Sequence, residues 1–195
     1  MNSTIKVRII EKPAFEVIGK KTWISGQDNE LFGQFWVQCE QERLFERFEQ
    51  LGGNRPGQQT GSSMLGISRV EEDPTNRAFY YMIAVEAPEA GVPEAGAPAA
   101  GVPEASAEDL ERYCVPASRW AVFECVGKVP EAIVKSEIYA FMEWLPASEY
   151  EHARAPEMEV YFPGNDGVSA DSYCEFWLPI VRKPAFPPSV YSVGF

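Results

Sequence analysis

The apolar positions of this chain change period several times, and each change predicts an element. Residues 5–10, IKVRII, alternate, and FEVIGKKTWIS (15–25) continues the alternation beyond Pro13, so both predict strands. From about Leu31 the spacing turns helical. Leu31, Phe35, Cys39, Phe45, Phe48 and Leu51 fall near one stripe with Gln and Glu between them; Asn29 is placed to cap the start, and Gly52-Gly53 to end it. NRPGQQTGSS predicts a loop, and MLGISRV (64–70) and AFYYMIAVEA (78–87) predict strands around a turn at Asp73-Pro74-Thr75-Asn76. Further on, ERYCVPASRWAVFECVG (111–127) predicts extended chain. VPEAIVKSEIYAFMEWL (129–145) predicts a helix, with Pro130 in its first turn, Pro146 past its end, and Ile133, Ile138, Phe141, Met142 and Leu145 as its apolar stripe. EMEVYFP (157–163) and SYCEFWLPIV (172–181) predict two last strands.

The order strand, helix, strand, strand thus occurs twice, and VIGKK (17–21) is echoed by CVGKV (125–129) ahead of the second helix. This predicts an internal duplication within one domain, 1–195, with halves at 1–86 and 106–195 packed about a pseudo-twofold axis and a cleft between them. The intervening 87–105, APEAGVPEAGAPAAGVPEA, is a repetitive Pro/Ala/Gly insert with little to bury, expected to be a flexible surface loop.

Charge narrows the function classes. A net charge of −12 opposes a phosphate-tracking surface, so no nucleic-acid partner is expected. Cys39, Cys114, Cys125 and Cys174 have no metal-binding or redox spacing, which predicts no metal and no cofactor. No leader-like or membrane-length apolar run is present, so the expectation is a cytoplasmic monomer with no membrane partner. Aromatic residues make up 13% of the chain, which fits an aromatic-lined site as well as it fits a rich core.

In register along the chain, KPAFEVIGKK, a helix carrying Trp36, VPASRWAVFECVGKVPEAI, YAFMEWLPASEYE, MEVYFPGN and YCEFWLPI together resemble the GyrI-like domain, the effector-binding domain of AraC- and MerR-type transcription regulators. The insert departs from that pattern, and the absence of a helix-turn-helix module suggests a stand-alone member. The resemblance implies an α+β fold of two SH2-like βαββ units, and a cleft for hydrophobic, often cationic or planar molecules. It also implies a cleft Glu on the last strand, matched by Glu175, with Trp36, Tyr161 and Glu159 near the groove.

Strand parity puts Tyr173, Glu175, Trp177 and Pro179 on one face, and Cys174, Phe176, Leu178 and Ile180 on the other. The second, wholly apolar face belongs under the helices, which leaves Glu175 facing the cleft or water, framed by Tyr173 and Trp177. Of the adjacent Tyr80 and Tyr81, one faces the cleft, and parity leaves open which. His152 is expected on a surface loop. Three functions compete. The first is polyspecific binding of hydrophobic, aromatic, cationic molecules by Glu175, Glu159, Trp36, Tyr161, Trp177, Tyr173 and Tyr80 or Tyr81. The second is a cofactor-free hydrolase of cyclopropane-bearing natural products of the kind the resemblance implies, with Glu175 and Tyr161 as acid–base groups. The third is inhibition of a protein partner such as gyrase.

Overall fold

Among the described residues, two-residue alternation is realised in nine strands: β1 (Val7–Lys12), β2 (Phe15–Ile24), β3 (Met64–Arg69), β4 (Phe79–Glu86), β5 (Glu111–Val115), β6 (Ser118–Val126), β7 (Tyr150–His152), β8 (Glu157–Tyr161) and β9 (Tyr173–Arg182). The computed structural model describes residues 5–25, 30–51, 58–62, 64–75, 78–87, 109–164 and 167–184. The expected cap Asn29, the stop at Gly52-Gly53 and the insert beyond Ala87 lie outside these residues.

The strands form one antiparallel sheet in the order β1-β6-β9-β8-β3-β4-β2-β5, with β7 added on β9. If β1, β2, β3 and β4 are exchanged for β5, β6, β8 and β9, this order reads the same from either end. Each half lends its first strand to the other: β1 pairs with β6, and β5 with β2. The halves join where β3 pairs with β8, Gly66 opposite Glu159 and Met64 opposite Tyr161.

The first predicted helix is two helices, α1 (Glu30–Gln41) and α2 (Leu44–Gln50), broken at Arg43, whose φ is 58°. In an unbroken helix Leu44 would stand about 140° around from Cys39, off the buried stripe. The break restores Leu44 and Phe48 to the face that α1 buries with Phe35 and Cys39. The second helix is α3 (Glu131–Tyr139), which continues as a π turn at Ala140–Trp144 and a short α4 (Leu145–Ala147). Its predicted stripe is corrected: Ile133 is buried, while Ile138 and Met142 are exposed. The turn set by Ile133, Ser136 and Ala140 is the one under cover.

Both helical layers cover the same face of the sheet. Under α1 and α2 lie Tyr81, Ile83, Val85 and Phe79 of β4, and under α3 lie Phe123 and Cys125 of β6 with Cys174, Phe176 and Leu178 of β9. The opposite, helix-free face is buried as well. Val17, Leu65, Ile67, Met82, Trp120, Val122, Met158, Val160 and Trp177 pack there into one cluster, so the sheet curls about this face and closes it with its own strands.

Candidate functional site

Between the two helical layers, over the β3–β8 junction, the helix-bearing face holds a cavity of about 920 Å³. Phe32 and Trp36 of α1 wall one side and Ile133, Phe141 and Met142 the other, with β8 and β4 beneath. The floor follows from strand parity. Met158 and Val160 are buried in the helix-free cluster, so Glu157, Glu159 and Tyr161 turn up into the cavity.

Glu159 lies on this floor. Its Oε2 accepts hydrogen bonds from the hydroxyls of Tyr81 (2.8 Å) and Tyr161 (2.7 Å), and Trp36 Nε1 donates to the Tyr81 hydroxyl oxygen at 3.1 Å. Gly66, opposite Glu159 in β3, makes room for this group: a Cβ there would overlap both the Tyr81 hydroxyl and Glu159 Oε2. Glu159 opens to the cavity but is otherwise enclosed by protein. Loss of water raises its pKa, the two tyrosine donors oppose that rise, and the nearby charge of Glu157 adds to it. Burial and the Glu159 carboxylate hold both tyrosines far above the usual phenol range, so they remain donors.

Glu137 of α3 and Glu157 also line the cavity, and among its described lining residues there is no Lys, Arg or His. Glu157 is bonded to His152 Nε2 at 3.1 Å, and the His152 ring stacks on Phe141. His152 is therefore no surface-loop residue; it lies on β7 with its side chain 10% exposed. Among the described residues no group of three or more His, Cys, Asp and Glu is placed to hold a metal ion, and no helix is long and apolar enough to cross a membrane.

Of the residues singled out from sequence, the structure brings Trp36, Tyr81, Tyr161, Glu159 and Tyr173 to this cavity. Glu175 and Trp177 are elsewhere. Parity is as expected, with Cys174, Phe176 and Leu178 under α3, but from Glu175 to Pro179 the other face of β9 meets neither cleft nor water. It enters the helix-free cluster, where Glu175 lies opposite Glu124 and beside Val160. There Glu175 is 2% exposed and accepts from Arg8 Nη2 (2.7 Å), the Tyr173 hydroxyl (2.5 Å) and Trp177 Nε1 (2.8 Å). The carboxylate expected to face the cleft or water is thus a buried, ion-paired one, and the Trp177 ring packs on Trp120. Of the adjacent tyrosines, Tyr81 is the one at the cavity and Tyr80 is not. It leans on Trp23 with ring centroids 4.8 Å apart, 41% exposed, away from the cavity.

Sequence reasoning missed Glu137, Glu157 and Gly66. Glu137 carried a signal, since it stands one turn from both Ile133 and Phe141 and shares their line on α3. Glu157 shares the Glu159 face of β8 by parity. Gly66 carried none, because its role depends on a partner strand ninety residues away.

Two comparisons agree on the fold. The model of the GyrI-like small molecule binding domain matches residues 5–181. Among solved structures, SAV2435 bound to tetraphenylphosphonium is 23% identical with a TM-score of 0.66, over 90% of this chain and 94% of that one. A Staphylococcus aureus MU50 protein described as a putative bacterial transcription regulation protein is 22% identical with a TM-score of 0.61, over 91% and 99% of the two chains. The EcmrR C-terminal domain is 14% identical with a TM-score of 0.57, over 93% and 100%. Comparison with curated proteins gives no match. The chain belongs to the GyrI-like small molecule binding domain family.

Proposed function

We propose that this protein binds hydrophobic, aromatic cations in the cavity between its halves, with Glu159 as the charge partner and Trp36, Tyr81, Tyr161 and Tyr173 as the aromatic surround. The observation that carries this reading is a carboxylate enclosed among aromatic side chains in a cavity whose described lining holds carboxylates and no cationic side chain. About 920 Å³ suits a drug-sized molecule. A cation beside Glu159 restores the ionised form that enclosure disfavours, and each ring face contributes about 0.5–2 kcal/mol. Such a site recognises charge and aromatic surface more than outline, which makes it polyspecific. The fold neighbour SAV2435, holding tetraphenylphosphonium, supports the choice of ligand class.

The test is titration with tetraphenylphosphonium and a flat dye cation beside neutral triphenylphosphine oxide, followed by fluorescence or calorimetry. Saturable binding of the cations, at least about tenfold tighter than the neutral compound, is expected. Equal affinity for both would sink the charge argument.

The Tyr81–Glu159–Tyr161 triad favours a second reading, hydrolysis of a strained electrophile. A carboxyl group with a raised pKa between two phenol donors can hold or release a proton near the reacting atom. Product formation from a cyclopropane-bearing substrate, lost in Glu159→Gln, would select it over binding alone.

A further inference from the structure

Cys125 and Cys174 take no part in the reading above. They face each other directly across β6 and β9, both on the helix-bearing side and both buried. Directly opposed residues in an antiparallel pair have Cα atoms about 4.5–5.5 Å apart, inside the span of about 4.4–6.8 Å that a disulfide bridges. The two thiols are linked electrostatically, with Cys174 donating toward Cys125, which also accepts from Ser136 of α3 and donates to the Phe123 carbonyl at 3.6 Å. Cys174, unlike Cys125, lines the cavity, and its neighbour across β8 is Tyr161, whose hydroxyl holds Glu159.

We propose that Cys125 and Cys174 are a reversible thiol–disulfide pair in the cavity wall, whose closure weakens the binding of cations above it. The second half of this statement rests on the cation-binding reading; the first does not.

The chemistry needs a two-electron oxidant small enough to enter the cavity, and a hydroperoxide is such a class. Cys174 Sγ attacks one peroxide oxygen, the O–O bond breaks, and a sulfenic acid and one water result. Cys125 then attacks the Cys174 sulfur as the S–O bond breaks, and the departing hydroxide leaves as water with the thiol proton. Two thiols and one hydrogen peroxide become one disulfide and two waters. The hydrogen bonds that Cys125 accepts hold its thiol below the usual range and suit it to the attack. Cys174 is held high by donating to Cys125 and by burial, which makes the first step slow.

The structural consequence follows from the register. Cys125, Cys174, Tyr161 and Met64 form one row across β6, β9, β8 and β3. The two sulfurs must close to about 2.05 Å to bond. That shift draws Cys174 away from Tyr161 and displaces the sulfur to which Ser136 donates, so the cavity floor and α3 both move.

The experiment uses Cys114→Ser, which removes the exposed thiol and leaves the cavity untouched. The protein is treated with hydrogen peroxide, alkylated and mapped by mass spectrometry, and its tetraphenylphosphonium affinity is measured before and after. The expected result is a loss of two hydrogen masses in a peptide joining Cys125 to Cys174, reversed by dithiothreitol. Saturating ligand should slow its formation, and the oxidised form should bind at least about fivefold more weakly, the lower end of ordinary site-to-site coupling. Cys125→Ser should abolish both effects. Added oxygen at Cys174 without a cross-link, or an unchanged mass, would overturn the pair; a cross-linked protein with unaltered affinity would overturn the coupling. If the reduced protein binds no cation at all, the cation reading fails while the mapping still decides the disulfide.

Discussion

Replacing Glu159 by Gln removes a charge and keeps the shape, so its effect can be worked from the cavity. A phosphonium centre wrapped in phenyl groups approaches a carboxylate to about 5 Å, which at an effective dielectric of about 20 gives about 3 kcal/mol of attraction. Part of that is spent on ionising a carboxyl that enclosure holds toward its neutral form, at about 1.4 kcal/mol for each pH unit by which its pKa exceeds the working pH. A net loss of about 1.5–3 kcal/mol remains, or about 10- to 150-fold in Kd for tetraphenylphosphonium. Affinity for triphenylphosphine oxide should change by less than about threefold. The ligand favours the ionised form, so wild-type affinity should rise with pH until free Glu159 is fully ionised, and that component of the slope should vanish in Glu159→Gln. Stability supplies an independent sign. The folded-state pKa of Glu159 lies above the ordinary 4.5, so its contribution to stability is complete below about pH 4.5 and is lost as pH rises through the folded value. Glu159→Gln should therefore match wild type in Tm at low pH and equal or exceed it at pH 7. Calorimetric titration at several pH values, with melting curves on the same samples, measures both. A variant that binds the cation with wild-type affinity and an unchanged pH profile would refute the assignment.

Glu175→Gln should act on stability and not on binding. It leaves Arg8 without its counter-ion, but the half-exposed Arg8 can turn to water, so urea unfolding should lose about 1–2 kcal/mol while cation affinity stays within about twofold. Gly66→Ala pushes a methyl group into Tyr81 and Glu159, so stability should fall by about 1–3 kcal/mol and cation binding with it; a crystal structure with the triad undisturbed would contradict this. Tyr81→Phe deletes a hydrogen bond that lowers the Glu159 pKa, so the rise of cation affinity with pH should move to higher pH, and a shift in the other direction would be decisive against the triad. The same change leaves Trp36 Nε1 without its present acceptor, with an expected cost of about 1–2 kcal/mol in thermal or urea melts.

The order of the elements, β7 excepted, and the parity of each strand were legible in one dimension, because a period of 2 or 3.6 residues is a local property. Local geometry alone puts Tyr173, Glu175 and Trp177 on one side of β9, and Phe35 and Cys39 on the buried side of α1. The family resemblance rested on ordered local wording and needed no contacts. Even the break between α1 and α2 left a trace, since Cys39 and Leu44 are five apart and no straight helix buries both.

What a parity argument cannot supply is the identity of what each face meets. A strand with one helix-covered face was expected to show the other to solvent or to a ligand. Here the sheet curls, and its helix-free face becomes a second interior, which turns Glu175 from a cleft carboxylate into the buried partner of Arg8. The cavity floor instead takes its carboxylates, Glu157 and Glu159, from β8, because β8 joins the halves and its helix-bearing side is the gap between their helices. Tyr81, Gly66 and Glu159 are brought together by the long-range pairings of β3 with β4 and β8, whose register is fixed by the packing of two buried faces and not by any neighbouring residue in the chain. Residue type and spacing determined which side chains were available for a charged aromatic site, and tertiary pairing decided which of two glutamates occupies it.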